Sequence, residues 1–328
     1  MVAALLLLRD GYEVIGLTVD TGHGDVSEGS QAARELGIPH ITADYRKDFK
    51  EYVTEYLVSE YLSGRTPNPC AVCNRRVKWP ALIEAALDAD AMVATGHYAV
   101  AGKHPLTGRY AVRESSAGTK DQTYMLYGLG QETLERALFP LGCYGKPEVR
   151  RIAAERGLSS AGKPDSQDIC FIKDGDMERF IKENSDAGSP PGKFTDPDGN
   201  ALGMHGGIAF YTPGQRKGIR IPGGFRRYVK KIDAESNTVV LSAEEELFST
   251  DMTVSEVAWM AYEPLAEGAF LTLKAKIRSA HTAADCAVKY SNGRLACEFA
   301  KPQRAVAPGQ SAVFYDEYGY VACGGVID

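Results

Sequence analysis

Ala91-Met92-Val93-Ala94-Thr95-Gly96-His97-Tyr98 is a short apolar run that ends in Thr-Gly-His-Tyr. Residues 91–95 read as a buried strand, the third such run after 13–19 (EVIGLTV) and 40–43 (HITA). Helical patterns lie between them. Residues 28–36 stop at Gly37, because glycine takes the left-handed conformation of a helix end without a Cβ penalty. In 48–62, Phe49, Tyr52, Val53, Tyr56 and Leu57 fall at i, i+3, i+4, i+7 and i+8 and make one apolar face. Residues 81–88 predict a shorter helix. Residues 146–156 predict another, with Pro147 near its first turn and Gly157 just past its end. Strands separated by helices imply βαβ crossovers and a parallel sheet. In such a sheet the residues just past a strand's carboxyl end line the ligand crevice. Gly96 there permits close approach to backbone, and His97 reads either as a donor to a phosphate or a base or as a structural histidine.

The pattern changes after about residue 180. Segment 187–224 is rich in Gly and Pro and reads as loops and short strands. In Leu271–Arg278, Leu271, Leu273, Ala275 and Ile277 alternate with Thr272, Lys274, Lys276 and Arg278, so one face is apolar and the other polar and basic. Asn292-Gly293 between two further strands is a hairpin signal. Residues 312–315 and 320–323 follow around a turn with Gly319, and a small barrel or sandwich accommodates the set. The chain of 328 residues is 44% hydrophobic and 24% charged, which excludes extensive disorder. Lys+Arg 37 against Asp+Glu 43 leaves a net charge of −6, so bulk charge alone predicts no nucleic-acid partner. No apolar run reaches the roughly 18 residues of a membrane span. Val2–Leu8 reads as a helix face without the basic flank of a signal peptide. Seven cysteines with no export signal point to a reducing cytoplasm and to chemical rather than structural thiols.

Thr66-Pro67-Asn68-Pro69-Cys70-Ala71-Val72-Cys73-Asn74 places two cysteines at C-x-x-C spacing. Arg75, Arg76 and Lys78 follow and are expected to lower the thiol pKa values. A zinc knuckle needs a second such pair at suitable spacing, and the sequence has none. Cys170, in KPDSQDICFI (163–172), reads equally as a strand residue packed in a core or as a nucleophile. Cys143, Cys286, Cys297 and Cys323 read as core. Lys120-Asp121-Gln122 opens a predicted helix and either contacts ligand or RNA or caps that helix. From Gly199 to Ile232 there is no acidic residue, while Arg216, Lys217, Arg220, Arg226, Arg227, Lys230 and Lys231 are interleaved with Tyr211, Phe225 and Tyr228. That is the pattern of a nucleic-acid footprint with salt-dependent binding.

Together these residues resemble the bacterial-type tRNA-specific 2-thiouridylase (MnmA/TrmU) family. The resemblance runs through TPNPCAVCNRRVKW (66–79), ATGHYA (94–99), KDQTYML (120–126), FPLG (139–142) and KPEVRRIA (146–153). It continues through DSQDICFI (165–172), GGIAFYTPGQRKG (206–218) and KPQRAVAPGQSAVFYD (301–316). It implies an α/β ATP-pyrophosphatase-like domain of the adenine nucleotide alpha hydrolase type over 1–180, a small central domain over 181–245, and a C-terminal all-β barrel over 246–328. The implied reaction is ATP-dependent thiolation of C2 of the wobble uridine in tRNA. Cys170 would carry a persulfide and Cys73 would act as nucleophile, leaving a Cys73–Cys170 disulfide. Val19 and Gly96 would line the site of ATP with Mg2+, and His97 would stand beside it. Asn68, Pro69, Cys70, Lys120, Asp121, Gln122, Arg278, Ser279 and Gln310 would contact tRNA. A cysteine desulfurase or a small sulfur-carrier protein would load the enzyme, with no membrane partner.

Two departures from the family pattern shape the expectations. The family opens with a strand and an SGGVDS loop whose backbone N–H groups hold the ATP pyrophosphate. This chain opens at Met1-Val2-Ala3-Ala4-Leu5, inside the helix expected after that loop. A misplaced start is the expectation, the sheet losing a strand near its middle, and a non-catalytic tRNA-binding relic is the alternative. Many members also carry Asp where Cys70 stands. Cys70, Cys73 and Cys170 could then hold a [4Fe-4S] cluster. The persulfide route is preferred to the cluster, and an iron–sulfur or thiol redox protein acting off RNA is the remaining alternative.

Overall fold

The computed structural model describes residues 1–115, 121–162, 169–172, 175–185, 188–219, 221 and 226–328. Val2–Arg9 forms α1, whose Val2 and Leu6 pack on Tyr98, Leu141, Ala153 and Leu158. Strand β1 (Gly16–Asp20) pairs in parallel with β2 (His40–Asp44), in register from Gly16↔His40 to Asp20↔Asp44. The crossover is α2 (Ser27–Leu36), which stops as expected at Gly37 with φ 67°. The 13–19 run enters the ladder only at Gly16, and Ile15 before it is 55% exposed.

Residues 46–62 are one helical run: α3 (Arg46–Phe49), a π-helical stretch (Lys50–Glu55) and α4 (Tyr56–Leu62). Phe49, Val53 and Leu57 are buried as their spacing requires. The wide π turns rotate the face, so that Tyr52 turns out to solvent while Thr54 and Val58 turn in. A second helical run holds α5 (Pro69–Cys73), a π turn (Asn74–Lys78) and α6 (Trp79–Asp88). It leads to β3, which narrows from the expected 91–95 to Val93–Ala94. A hairpin of β4 (Val100–Lys103) and β5 (Tyr110–Arg113) follows. After α7 (Gln131–Glu135) comes β6 (Ala137–Leu138), which pairs in parallel with β3. Among the described residues of this first domain the parallel strands therefore form two separate pairs, β1–β2 and β3–β6, and no continuous sheet. Helix α8 (Lys146–Glu155) has the predicted Pro in its first turn, and α9 (Met177–Glu183) closes the domain.

The central domain is a four-stranded sheet in the order β8-β7-β10-β9, from β7 (Gly192–Thr195), β8 (Ala201–His205), β9 (Tyr228–Asp233) and β10 (Thr238–Ser242). Phe194, Ile208, Val229, Val239 and Leu241 form its core. The last domain is a closed barrel in the order β11-β14-β13-β12-β15-β16. Its strands are β11 (Phe248–Trp259), β12 (Phe270–Lys276), β13 (Ala284–Ser291), β14 (Arg294–Arg304), β15 (Ser311–Tyr315) and β16 (Val321–Ile327). Closure leaves no edge strand to mispair, and it decides the choice between barrel and sandwich. Leu273, Ala275 and Ile277 are buried and Thr272 and Lys274 exposed, as the alternation requires. Asn292 and Gly293 both take left-handed φ, 51° and 77°, which is the hairpin turn their sequence predicts. Glu256 sits at φ 49° where the β11–β16 register slips, and this bulge bends β11 toward closure.

The barrel docks on the first domain. His104 Nε2 meets Asp316 Oδ2 at 2.8 Å, fully buried. Gly324 leaves room for Tyr127, since a Cβ there would stand 2.6 Å from Tyr127 Cδ2. Among the described residues no helix is long and apolar enough to cross a membrane.

Candidate active site

Helix α5 starts at Asn68 because that side chain caps it and Pro69 presets its first φ. Asn68 Oδ1 accepts from the Ala71 amide at 3.2 Å, and its Nδ2 donates to Ser311 Oγ of the barrel at 3.1 Å. Cys70 and Cys73 stand three apart on one face of this helix. Cys73 is buried and Cys70 half-buried. Cys170 is exposed, in a turn rather than in the strand that was one of its two readings. The turn is anchored by Phe171 and Ile172, which pack with Phe49, Val53 and Cys73, the Phe49 and Phe171 rings meeting edge-on at 5.0 Å. Cys170 lies near enough to raise the pKa of both other thiols by charge repulsion. All seven cysteines are free thiols.

The expectation that the basic flank lowers the thiol pKa values is overturned. Burial pushes Cys70 up and Cys73 up to about 11, and Lys78 opposes this without cancelling it. Arg75 and Arg76 act elsewhere: Arg75 packs on Gly128, and Arg76 lies 5.9 Å over the Tyr52 ring. His97 follows β3 directly. Its Nδ1 is 2.8 Å from Thr95 Oγ1, and its ring stands against Phe139. Burial first and Lys78 second push its pKa down to about 4. It is thus a neutral hydrogen-bonding group near pH 7, not a cation. Val19, late in β1, packs on the core that holds Cys73. Gly96 is exposed, and a Cβ there would touch only Leu141, at 3.8 Å.

The residues expected to meet RNA are spread more widely. Lys120 lies outside the described residues. Asp121 accepts from Thr123 Oγ1 at 2.6 Å and pairs with Lys276 at 3.5 Å, and Gln122 Oε1 accepts from the Tyr98 amide at 3.0 Å. A single 3-10 turn (Thr123–Met125) follows them in place of the predicted helix, because both side chains are drawn into contacts between segments. Gln310 Oε1 accepts from Tyr124 Oη at 3.1 Å, beside the Ser311 that Asn68 contacts. Arg278 donates to the Arg304 carbonyl at 3.1 Å, and Ser279 is exposed. Arg216, Lys217 and Arg226 are exposed and Arg227 half-buried, while Arg220 and Phe225 lie outside the described residues. Tyr211 and Tyr228 are not presented to solvent with them. Tyr211 packs on Phe194 at 5.2 Å, and buried Tyr228 lies under Arg304 at 5.3 Å. Cys143, expected in a core, is exposed, whereas Cys286, Cys297 and Cys323 are buried in the barrel.

Three family models match the chain in series: a tRNA methyl transferase HUP domain over 1–174, a tRNA methyl transferase PRC-barrel domain over 178–243, and an aminomethyltransferase beta-barrel domain over 249–327. The tRNA-specific 2-thiouridylase MnmA of Acetivibrio thermocellus is 43% identical over 99% of this chain and 95% of its own length. Those of Pelotomaculum thermopropionicum (43%; 96% and 90%) and Lachnoclostridium phytofermentans (42%; 99% and 94%) are similar to the same degree. The chain belongs to the tRNA-specific 2-thiouridylase family. A 2-thiouridylase of this HUP type uses ATP, and the residues present fit that ligand in part. Val19 offers an apolar contact late in β1, and Gly96 offers bare backbone just past β3. The loop between β1 and α2 does not cradle phosphate, because the Asp25 carboxylate already accepts from the Ser27 amide at 2.8 Å at that helix start. Among the described residues no three His, Cys, Asp or Glu side chains are gathered to hold an ion. Sequence reasoning passed over Asn74, whose buried Oδ1 has no hydrogen-bond partner, and treated Lys78 only as one of three flanking cations.

Proposed function

We propose that this protein is a tRNA-uridine 2-sulfurtransferase that replaces the C2 oxygen of the wobble uridine with sulfur. What supports this reading is that Cys70 and Cys73 share one face of α5 and exposed Cys170 lies close enough to oppose their ionisation, in a chain of the 2-thiouridylase family. We divide the chain at about residues 180 and 245, so that the first domain performs the chemistry and the other two help to hold the RNA. ATP, used with Mg2+, supplies the adenylate that makes the C2 oxygen a leaving group. Cys170, in its accessible turn, receives a persulfide from a cysteine desulfurase or a small sulfur carrier in the cytoplasm. The Cys73 thiolate attacks Cys170 Sγ, the persulfide S–S bond breaks, and the terminal sulfur leaves as hydrosulfide, which adds at C2 while the adenylated oxygen departs as AMP. The product is a Cys73–Cys170 disulfide, which an external thiol reopens with two electrons. Neutral His97 can orient a nucleotide by hydrogen bonding without competing for its charge. Asn68 and Gln310, both bonded around Ser311, bring the barrel to the lip of the site, and the uridine must leave its stack to reach it. Arg278 and Ser279, with Arg216, Lys217, Arg226 and Arg227, extend the RNA-facing surface.

Cys73→Ser and Cys170→Ser should each abolish 2-thiouridine formation, read by mass spectrometry of tRNA nucleosides, while tRNA affinity stays within about twofold. Persistent thiolation in either variant removes the assigned role. Arg226→Ala combined with Arg227→Ala should weaken tRNA binding and lower the slope of log affinity against log salt by about 2. An unchanged slope retires this stretch as an RNA contact.

A further inference from the structure

We propose that Lys78 is the fixed cation of this site, favouring the reacting thiolate of Cys73 and taking up the negative charge that sulfur release creates. The inference deepens the sulfur-transfer reading and rests on it. Its basis is the backbone between the two residues. Asn74–Lys78 is a π turn in which the Trp79 amide bonds the Asn74 carbonyl, five residues back. In an α-helix of 3.6 residues per turn, residue 78 would stand roughly 140° round the axis from residue 73. A π turn stacks residues five apart as an α turn stacks residues four apart. The inserted residue therefore returns Lys78 to the face that carries Cys73, with Cys70 one turn earlier on that face. Single π turns of this kind are concentrated at functional sites.

The surroundings agree. Lys78 is half-buried and makes no hydrogen bond or ion pair with any described residue. A partly desolvated ammonium without a counter-charge is unfavourable, and a thiolate, persulfide or hydrosulfide formed in the reaction offsets that. Its charge reaches Cys70, Cys73 and, from β3 opposite, His97. The titratable groups that act on Cys73 are Lys78, which favours its thiolate, and Cys170 and Cys70, which oppose it. Lys50, Glu51 and Glu55, on the segment packed against α5, are exposed and act on neither thiol of that helix.

The test compares Lys78→Met and Lys78→Arg with the unaltered chain. Iodoacetamide alkylation of Cys73 is followed against pH by peptide mass spectrometry, and the His97 titration by NMR. Lys78→Met should slow Cys73 alkylation at pH 8 about tenfold, one pKa unit, while the His97 midpoint rises. Lys78→Arg should restore both. Mere loosening of the fold would speed Cys73 alkylation, because exposure returns a thiol toward its ordinary pKa. Unchanged or faster labelling in Lys78→Met overturns the proposal. Neither readout needs tRNA or ATP, so this failure is distinct from failure of the sulfur-transfer reading, which the Cys73→Ser thiolation assay decides.

Discussion

The α5 helix, with Cys70 and Cys73 and with Cys170 on a nearby turn, and the barrel, with three thiols of its own, hold cysteines in opposite surroundings. In the barrel, Cys286, Cys297 and Cys323 are 3%, 2% and 0% exposed, among Val288, Leu295 and Phe314. Their own mutual contact and burial push Cys297 far up, burial does the same to Cys323, and no cation opposes either shift. At α5 burial also raises Cys73, but Lys78 opposes the rise, and Cys170 reaches solvent from an adjoining turn. Clustering is therefore common to both regions and explains neither. What separates a reactive set from core filler is one accessible member and one cation that the backbone places on the same face.

The largest effect that could break this contrast is in labelling rate. Iodoacetamide at pH 8 should modify Cys170 and the exposed Cys143 at least about a hundredfold faster than any barrel thiol, since the reagent reaches only accessible thiols in the folded protein. The barrel thiols should react only on unfolding, and a barrel thiol modified in step with Cys170 would erase the distinction. The next effect is in stability. Cys323→Ser buries a hydroxyl without a partner in the barrel core and should lower the unfolding free energy by about 1–3 kcal/mol. Thiolation by the folded fraction should be unaffected. Cys73→Ser, also buried, should cost stability of similar size but abolish thiolation even by the folded fraction, and urea midpoints beside nucleoside analysis read both halves.

The contrast also shows what was legible in the sequence. Period-2 alternation in 271–278 and the Asn292-Gly293 turn specify an all-β unit, barrel or sandwich, because each strand keeps one face dry. The helix ends at Gly37 and Gly157 were legible because only backbone conformation decides them. The ordered motifs named the family and brought Cys73 and Cys170 together. The sign of the thiol shift was not legible, because it depends on how deeply Cys73 is buried against three neighbouring charges, of which two turn away. The π turns were hidden as well: one extra residue in a helix leaves composition unchanged and alters only which side chains share a face. The same blindness misplaced Tyr211 and Tyr228, whose spacing among arginines suits RNA stacking but which pack on the central core and under Arg304 respectively.

The smallest effect sharpens the comparison through acid. The His97 pKa falls from 6.5 to about 4 in the folded protein, so the folded state binds fewer protons than the unfolded chain between those values. The stability that this neutral ring contributes is complete above pH 6.5 and is lost as pH falls toward 4. With allowance for its partial exposure, the loss is roughly 2 kcal/mol. His281 in the barrel is shifted in the same direction, by burial and then by Arg278, so acid weakens both regions. His97→Gln keeps a hydrogen-bonding group for Thr95 and removes the titration. Its unfolding free energy should decline less than that of the unaltered protein between pH 7 and 4.5, and His97→Gln with His281→Gln less again. If the single variant keeps the full slope, the acid sensitivity resides in the barrel, and the active-site histidine is not held neutral by burial beside Lys78.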